Sequence, residues 1–542
     1  MNIKLPALIA TLLLIAACGG GGGGGSAPAP VPEEPQGGSG SNPPTTNPPP
    51  APTEPGFASG TFEPYENFSQ VCENPRSGVD SRGRAFRDVQ GTPVDENNWL
   101  RSWSNELYLW YDEIVDVDPE SLSTDEYFDQ MRTFDTTPSG APKDKFHFTI
   151  PTEEWIRESQ SGIRGGYGAT FAILASSPPR QVVVAYTEPN TPATDPEVNL
   201  RRGATILEVD GVSMVDGSDV DTLNSGLFPG DNETHEFVIE EVDGTVRTIS
   251  MTSTQITSTP VQNVSVLETE SGNVGYLTFN DHIAPSEAQL INAVEELAQS
   301  NLTDLVVDLR YNGGGFLDIA NELAYMIAGP DRATGRIFEV MQFNDQHPDF
   351  DPVTGDPLVG TTFHNTSQGF SVGSGTPLPS LGLGRVFVIT GPGTCSASES
   401  LMNSLSGIDV EVVQVGATTC GKPYGFYPFD NCGTTYFSIQ FRGVNDANFG
   451  DYSDGFSPEN VPQTEGVPFP GCFVSDDFTR QLGDPNEGRL RAALQYRTDG
   501  TCPSTTTANA RLRPIREGWQ RLSRADGEVI KPEFLKNRIL RH

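Results

Sequence analysis

At 542 residues the chain exceeds what one hydrophobic core can organise, so two or three globular units plus non-globular segments are expected. Hydrophobic residues make up 36% and aromatic residues 9%, an ordinary balance for a water-soluble fold, but 34 basic residues face 72 acidic ones and the formal charge is −38. A surface of that sign repels nucleic acid and anionic lipid headgroups, which excludes nucleic acid as a partner and reads as a solvating acidic coat.

The chain opens with Lys4, an apolar run from Ala7 to Ala17, and Cys18. That run is too short to cross a bilayer as a helix. Ile15-Ala16-Ala17-Cys18 resembles a bacterial lipobox, which implies a signal peptide over 1–17 and lipidation at Cys18. With Gly19 and not Asp next, the resemblance implies a cell-envelope protein anchored in the outer membrane; an ordinary secretory signal is the lesser alternative. Residues 18–60 are Gly, Pro, Ser and Thr with almost nothing apolar, a disordered tether that as a flexible coil would reach roughly 35 Å. Besides Cys18 the chain carries six cysteines in a compartment that permits disulfides, with Cys420–Cys432 and Cys472–Cys502 as local candidates. No C-x-x-C or H-E-x-x-H spacing occurs, so neither a metal nor another cofactor is expected.

In residues 61–161 the stretch Asn98–Ile114 places Trp99, Leu100, Trp103, Leu107 and Trp110 at helical spacing, and Thr124–Phe134 reads as a second helix, giving a small helical N-terminal unit. Residues 162–258 change to β periodicity at Ala169–Leu174, Gln181–Tyr186, Ala204–Val209 and His235–Glu241, with a helix at Ser218–Leu227. A turn, Gly165-Gly166-Tyr167-Gly168, precedes the first of these strands, and the run Arg202–Gly211 resembles a stretch of PDZ domains. That resemblance implies binding of a substrate C-terminus by strand addition, with Tyr167 and Gly168 in the binding loop.

Over 259–465 strands alternate with helices: Val274–Phe279, a helix opening at Ser286 with Ser286 and Gln289 as a capping box, Leu305–Leu309, Phe316–Ile327, Val386–Thr390, Ser398–Leu405 and Val410–Val415. This rhythm predicts an α/β core with a largely parallel sheet. Between Arg336 and Gly384 a Gly/Pro/Asp-rich insertion reads as surface loop, and 466–542 form a C-terminal extension with a helix at Glu487–Tyr496 and a basic tail.

Three segments at strand ends carry the chemistry: Asp308-Leu309-Arg310-Tyr311-Asn312-Gly313-Gly314-Gly315, Thr394-Cys395-Ser396-Ala397-Ser398-Glu399, and Gly421-Lys422. A strand ending in three glycines before a helix leaves backbone N–H groups able to face an anion. A serine at a helix N-terminus needs a base to become nucleophilic, and a lysine serves only when neutral; moving its pKa from ~10.4 toward ~7 takes ~4–5 kcal/mol of destabilisation of the charged form. Tyr424, Phe426, Val413 and Val415 could supply that apolar setting.

In order and spacing these segments are similar to the D-L-R-x-N-G-G-G, S-A-S-E and G-K motifs of carboxyl-terminal processing (tail-specific) serine peptidases, a resemblance covering about residues 95–465. It implies a multidomain protein with a ClpP/crotonase-like α/β core, a PDZ-like domain, and a serine endopeptidase acting on protein or peptide tails. Ser396 would be nucleophile and Lys422 general base, with Gly313 or Gly314 and Ala397 supplying oxyanion donors. Where many members have a glutamine four residues after the lysine this chain has Phe426, which leaves Glu399, Thr418 and Thr419 as candidates for a third member. Cys395 stands where the family usually has a small residue, so a Cys395–Cys420 disulfide beside the site is a further expectation.

Two other readings compete. Gly369-Phe370-Ser371-Val372-Gly373 matches the G-x-S-x-G elbow of α/β-hydrolase esterases, with His147, His282 or His364 as partners, but loop-like sequence flanks it. A non-catalytic scaffold with a decayed core is the other, against which the joint presence of Ser396, Lys422 and the glycine turn argues.

Overall fold

The computed structural model describes residues 57–80, 83–461, 466–503, 528, 529, 531 and 538–540. The signal peptide, Cys18 and nearly all of the tether lie outside the described residues.

The apolar runs of the core become a six-stranded sheet in the order Val261–Thr269, Gly272–Phe279, Leu302–Asp308, Arg385–Thr390, Glu411–Gly416, Gly471–Phe473, the first pair antiparallel and the others parallel. Because successive side chains point to opposite faces, each strand feeds two layers. Leu277, Leu305, Val307, Val386, Val388 and Val412 face helices Ser286–Ala298, Leu317–Ala328 and Ala397–Gly407. Tyr276, Val306, Phe387, Ile389, Val413 and Val415 face Leu490, Ala492 and Ala493 of helix Gly488–Asp499. Both layers are closed to water, which is why these strands read as continuous apolar runs.

The aromatic stripe near the N-terminus forms helix Pro93–Leu107, started by Thr92, whose backbone and hydroxyl both donate to Asp95. Trp99 and Trp103 stack at 5.1 Å, and Trp99 lies 5.2 Å from the ring of Tyr436. The helix therefore shares its core with the catalytic-core strand Thr434–Phe437, which also pairs with Phe148–Pro151. The helix ends at Leu107; Trp110 sits beyond it and meets the Tyr424 ring edge-on at 4.8 Å. The second helix is shorter than the spacing suggested, Thr124–Gln130.

The β-periodic region forms a separate sheet in the order Val246–Thr252, Thr234–Glu240, Thr205–Val209, Gln181–Thr187, Ala169–Ala175, Glu528–Val529, with helix Val220–Leu227 beside it and Tyr167, Phe171, Val184, Ile206, Phe237 and Ile239 at its centre. Its outermost strand, Glu528–Val529, comes from the C-terminal extension. Arg202 and Arg310 join this module to the core: both donate to Asp476, and Arg310 also pairs with Asp308 and Glu487, all of them buried.

Three local expectations need correction. The 336–384 insertion is not all surface, because Ile337–Gln342 pairs with Phe441–Val444 and Phe338 and Phe363 are buried against each other. Helix Ser286–Ala298 has no capping box: Ser286 Oγ donates to Asp281 O and Gln289 Oε1 accepts from Val261 N, so tertiary partners outcompete the local pair. Among the cysteines, Cys472–Cys502 and Cys395–Cys420 are bonded, but Cys432 pairs with Cys72 across a separation of 360 residues and not with Cys420.

Candidate active site

Asn312 organises the glycine bend. Its Oδ1 accepts from Gly314 N (3.0 Å) and lies 2.9 Å from His282 Nδ1, and its Nδ2 donates to Phe279 O (3.0 Å). The bend itself requires glycine: Gly314 and Gly315 have φ of 112° and 130°, and a Cβ on Gly315 would collide with the His282 carbonyl. Gly314 N–H is thus engaged by Asn312, which leaves Gly313 as the bend's candidate oxyanion donor.

The serine segment packs directly on this bend. Asn312 O accepts from Cys395 N (3.1 Å) and Ser398 Oγ (3.0 Å), and Thr394 Oγ1 donates to Leu309 O (2.7 Å). Ser396 is held at φ 60° and ψ −112°, an uncommon left-handed conformation for a residue with a side chain, immediately before helix Ala397–Gly407. Ala397 is the first helical residue, where N–H groups have no intrahelical acceptor. Ser396 is fully buried, and among the described residues its Oγ has no hydrogen-bond partner.

Glu399 brings the serine and lysine segments together. One carboxylate oxygen accepts from Ser396 N and Lys422 N, both at 2.8 Å; the other accepts from Gly421 N at 2.9 Å and from Thr419 Oγ1. Burial pushes the Glu399 carboxyl up, while Thr419 and the backbone donors pull it back down. The Cys395–Cys420 disulfide, with its Cα atoms 5.2 Å apart, joins the same two segments covalently. Lys422 is fully buried, its Nζ 4.2 Å from the centroid of Phe426 and 4.6 Å from that of Phe146.

Of the three candidate third members, Glu399 touches both segments, Thr419 touches them through Glu399, and Thr418 turns to Ser457 (2.8 Å). Tyr167 and Gly168 lie in the β module, where the Tyr167 ring is core and its hydroxyl donates to Gly226 O (3.1 Å). Ser371 sits in a loop whose N–H groups wrap the Glu287 carboxylate, with neither strand before nor helix after it. His147 stacks on Phe128, His364 meets Asp318, and His282 holds Asn312, so none of them serves Ser371. The roles of Asn312 and His282 were missed by sequence reasoning; the asparagine before the three glycines was the available signal.

A glycine bend, a strained serine opening a helix, and a buried lysine stapled beside it on an α/β sheet define a serine-hydrolase type of site. Residues 273–429, which contain all three, match the family model described as Peptidase family S41. The chain is 28% identical over 282 residues to a chloroplastic C-terminal processing peptidase of Tetradesmus obliquus, a match covering 49% of this chain and 53% of that one. It thus spans about half the length of that curated relative. A solved structure described as an S41 protease from Bacteroides fragilis NCTC 9343 is similar at TM-score 0.55 and 21% identity, covering 74% of this chain and 97% of that chain, a likeness of fold. Over residues 273–429 the chain is thus similar to peptidase family S41.

Proposed function

We propose that the protein is a serine endopeptidase in which Ser396 attacks a peptide carbonyl, Lys422 accepts the hydroxyl proton and delivers it to the leaving amine, and water then hydrolyses the acyl-enzyme. Gly313 and Ala397 N–H groups receive the oxyanion, each such donor being worth ~3 kcal/mol. The observation that carries this reading is the Glu399 carboxylate, one oxygen of which accepts from the backbone of both Ser396 and Lys422 at 2.8 Å beside the glycine bend. On this reading the Ser396 hydroxyl and the Lys422 amine come within hydrogen-bond reach when substrate binds, as catalytic contacts often tighten only then.

The module at 162–258 is read as PDZ-like, presenting the outer edge of strand Ala169–Ala175, where Glu528–Val529 pairs, to substrate tails, and the lipobox-like Cys18 is read as an anchor holding the enzyme at the cell envelope, where exported proteins are its substrates. Among the described residues no helix is long and apolar enough to cross a membrane.

The test is hydrolysis of an unfolded protein by wild type, Ser396→Ala and Lys422→Ala, with mass-spectrometric mapping of the cuts. Each substitution is expected to lower kcat by at least about a thousandfold. Undiminished cleavage by Ser396→Ala would sink the assignment, and binding without cleavage by all three proteins would favour the scaffold reading.

A further inference from the structure

The C-terminal extension returns to the body of the protein at three places, and each lies on the way from the β module to the nucleophile. Glu528–Val529 adds antiparallel to the outer edge of Ala169–Ala175, with Glu528 opposite Ile173 and Val529 opposite Ala172. Only Tyr167 and Gly168 separate Ala169–Ala175 from the preceding strand, Ile163–Gly166, so the expected four-residue turn is shorter than the sequence suggested. Lys531 is then buried, its Nζ donating to Asp281 Oδ1 (2.7 Å) and Asn280 O (2.9 Å). Finally Arg538–Ile539 pairs in parallel with Gly315–Phe316, the strand that leaves the glycine bend, and Leu540 N donates to Phe426 O (3.1 Å). Ile539 is 2% exposed and bridges to Phe426, the residue whose ring walls Lys422.

Both pairings are strand additions to open edges, the mode by which an extended peptide binds a sheet. Each is only two residues long, and nine of the chain's 34 Lys and Arg fall in its last 32 residues, among only four acidic ones. The chain's basic C-terminal sequence thus contributes Lys531 to a protein whose net charge is strongly negative. Asp281 shows why a cation is wanted: its carboxylate is 1% exposed and its Oδ2 has no partner, so without Lys531 it would be a buried, unpaired charge.

We propose that the tail residues Glu528, Val529, Lys531 and Arg538–Leu540 are an intramolecular peptide ligand of the substrate path, so that a protein substrate must displace them before it is cut. The proposal rests on the peptidase reading for what the path carries. It also names the substrate class: an extended chain with Lys or Arg to pair with Asp281 and, further toward its C-terminus, an aliphatic residue to fill the place of Ile539 against Phe426.

The test uses full-length Lys531→Ala and Ile539→Asp proteins and a synthetic peptide of residues 528–540. If the tail leaves about one-tenth of the molecules open, releasing it lowers KM for an unfolded protein substrate about tenfold with kcat little changed, since apparent affinity scales with the competent fraction. The peptide should inhibit the Lys531→Ala protein competitively, and amide exchange at Ala172 and Ile173 should quicken in both variants. Should Ile539→Asp fail to fold, Lys531→Ala decides alone. Fluorescence-labelled peptide binding to a Lys531→Ala/Ser396→Ala protein separates the two claims: binding without any wild-type hydrolysis retains the tail site and rejects the peptidase, whereas hydrolysis with no peptide binding and unchanged KM overturns the tail proposal and retains the peptidase.

Discussion

Replacing Glu399 by glutamine keeps the shape of the side chain and turns one carboxylate oxygen into an NH2 group. Both oxygens are occupied: one by Ser396 N and Lys422 N at 2.8 Å, the other by Gly421 N at 2.9 Å and Thr419 Oγ1. An amide nitrogen facing Ser396 and Lys422 would strand two buried N–H groups. Facing Gly421 it strands one, because the Thr419 hydroxyl can turn and accept, so this is the orientation the residue should take. An orphaned buried N–H costs about 1–3 kcal/mol, and the two bonds that remain lose their charge assistance at roughly 0.5–1 kcal/mol each, for a total of about 2–5 kcal/mol. Since the clamp fixes Ser396 relative to Lys422, the same change should lower kcat by roughly a hundredfold in molecules that remain folded, the scale of a misplacement near 1 Å. Urea unfolding gives the first quantity, and kcat corrected for the folded fraction gives the second. Ser396→Ala is the control, since it removes the proposed nucleophile and leaves every backbone donor in place: it should abolish turnover with the urea midpoint nearly unchanged. If Glu399→Gln shifts neither the midpoint nor kcat by more than about twofold, the carboxylate is not what holds the site together and the reasoning fails.

Asn312→Ala removes the acceptor of Gly314 N–H and the partner of His282 Nδ1, so the glycine bend should lose its set conformation; kcat is expected to fall by about a hundredfold with KM less affected, as for loss of an oxyanion donor, and a KM effect alone would contradict this. Glu322 gives a pH prediction: burial, and next the charge of Glu287, push its carboxyl up to about 9, so the folded state holds a proton that the unfolded state releases. A raised folded-state pKa contributes stability that is complete below the unfolded value near 4.3 and is lost as pH climbs to about 9, at up to about 1.4 kcal/mol per unit. Glu322→Gln, which keeps an acceptor for Gln368 N, should flatten the fall in unfolding free energy between about pH 6 and 8.5, and an unchanged slope would refute the assignment.

The parts of this protein that were legible in the sequence are those fixed by short-range rules. The strands at Leu302–Asp308, Arg385–Thr390 and Glu411–Gly416 were visible because burial on both faces makes them continuous apolar runs between glycine and helix signals. Ser396 and Lys422 were singled out because short motifs around them are similar to those of a known peptidase family. What was not legible depends on distant partners. The Cys72–Cys432 bond joins residues that no spacing rule connects, and the obvious local pair Cys420–Cys432 is absent because Cys420 is taken by Cys395 at the site. Ser286 and Gln289 have the letters of a capping box, yet Asp281 O and Val261 N offer them better-placed partners. Glu399 stood among three candidates because the sequence shows its place on the helix but not that four donors from two segments converge on it. The pairing of 528–529 and 538–539 with strands more than 200 residues earlier gave no signal at all, since two-residue strands have no periodicity to read.

The same dependence on distant partners explains how the β module and the glycine bend keep a fixed relation. Arg202, on the β module, and Arg310, two residues before Asn312, both donate to Asp476, and Arg202 also donates to the hydroxyl of Tyr311. These groups are buried, so taking away any one charge would leave another unpaired in a dry interior, which typically costs about 3–5 kcal/mol. The module is therefore held through Arg310 and Tyr311, just ahead of the glycine bend at 313–315. On the proposed reading, a peptide added to the edge of Ala169–Ala175 would be registered against those residues before reaching Ser396. Loosening Asp476 should consequently disturb binding at the module's edge and turnover at the bend together, because one buried carboxylate serves both.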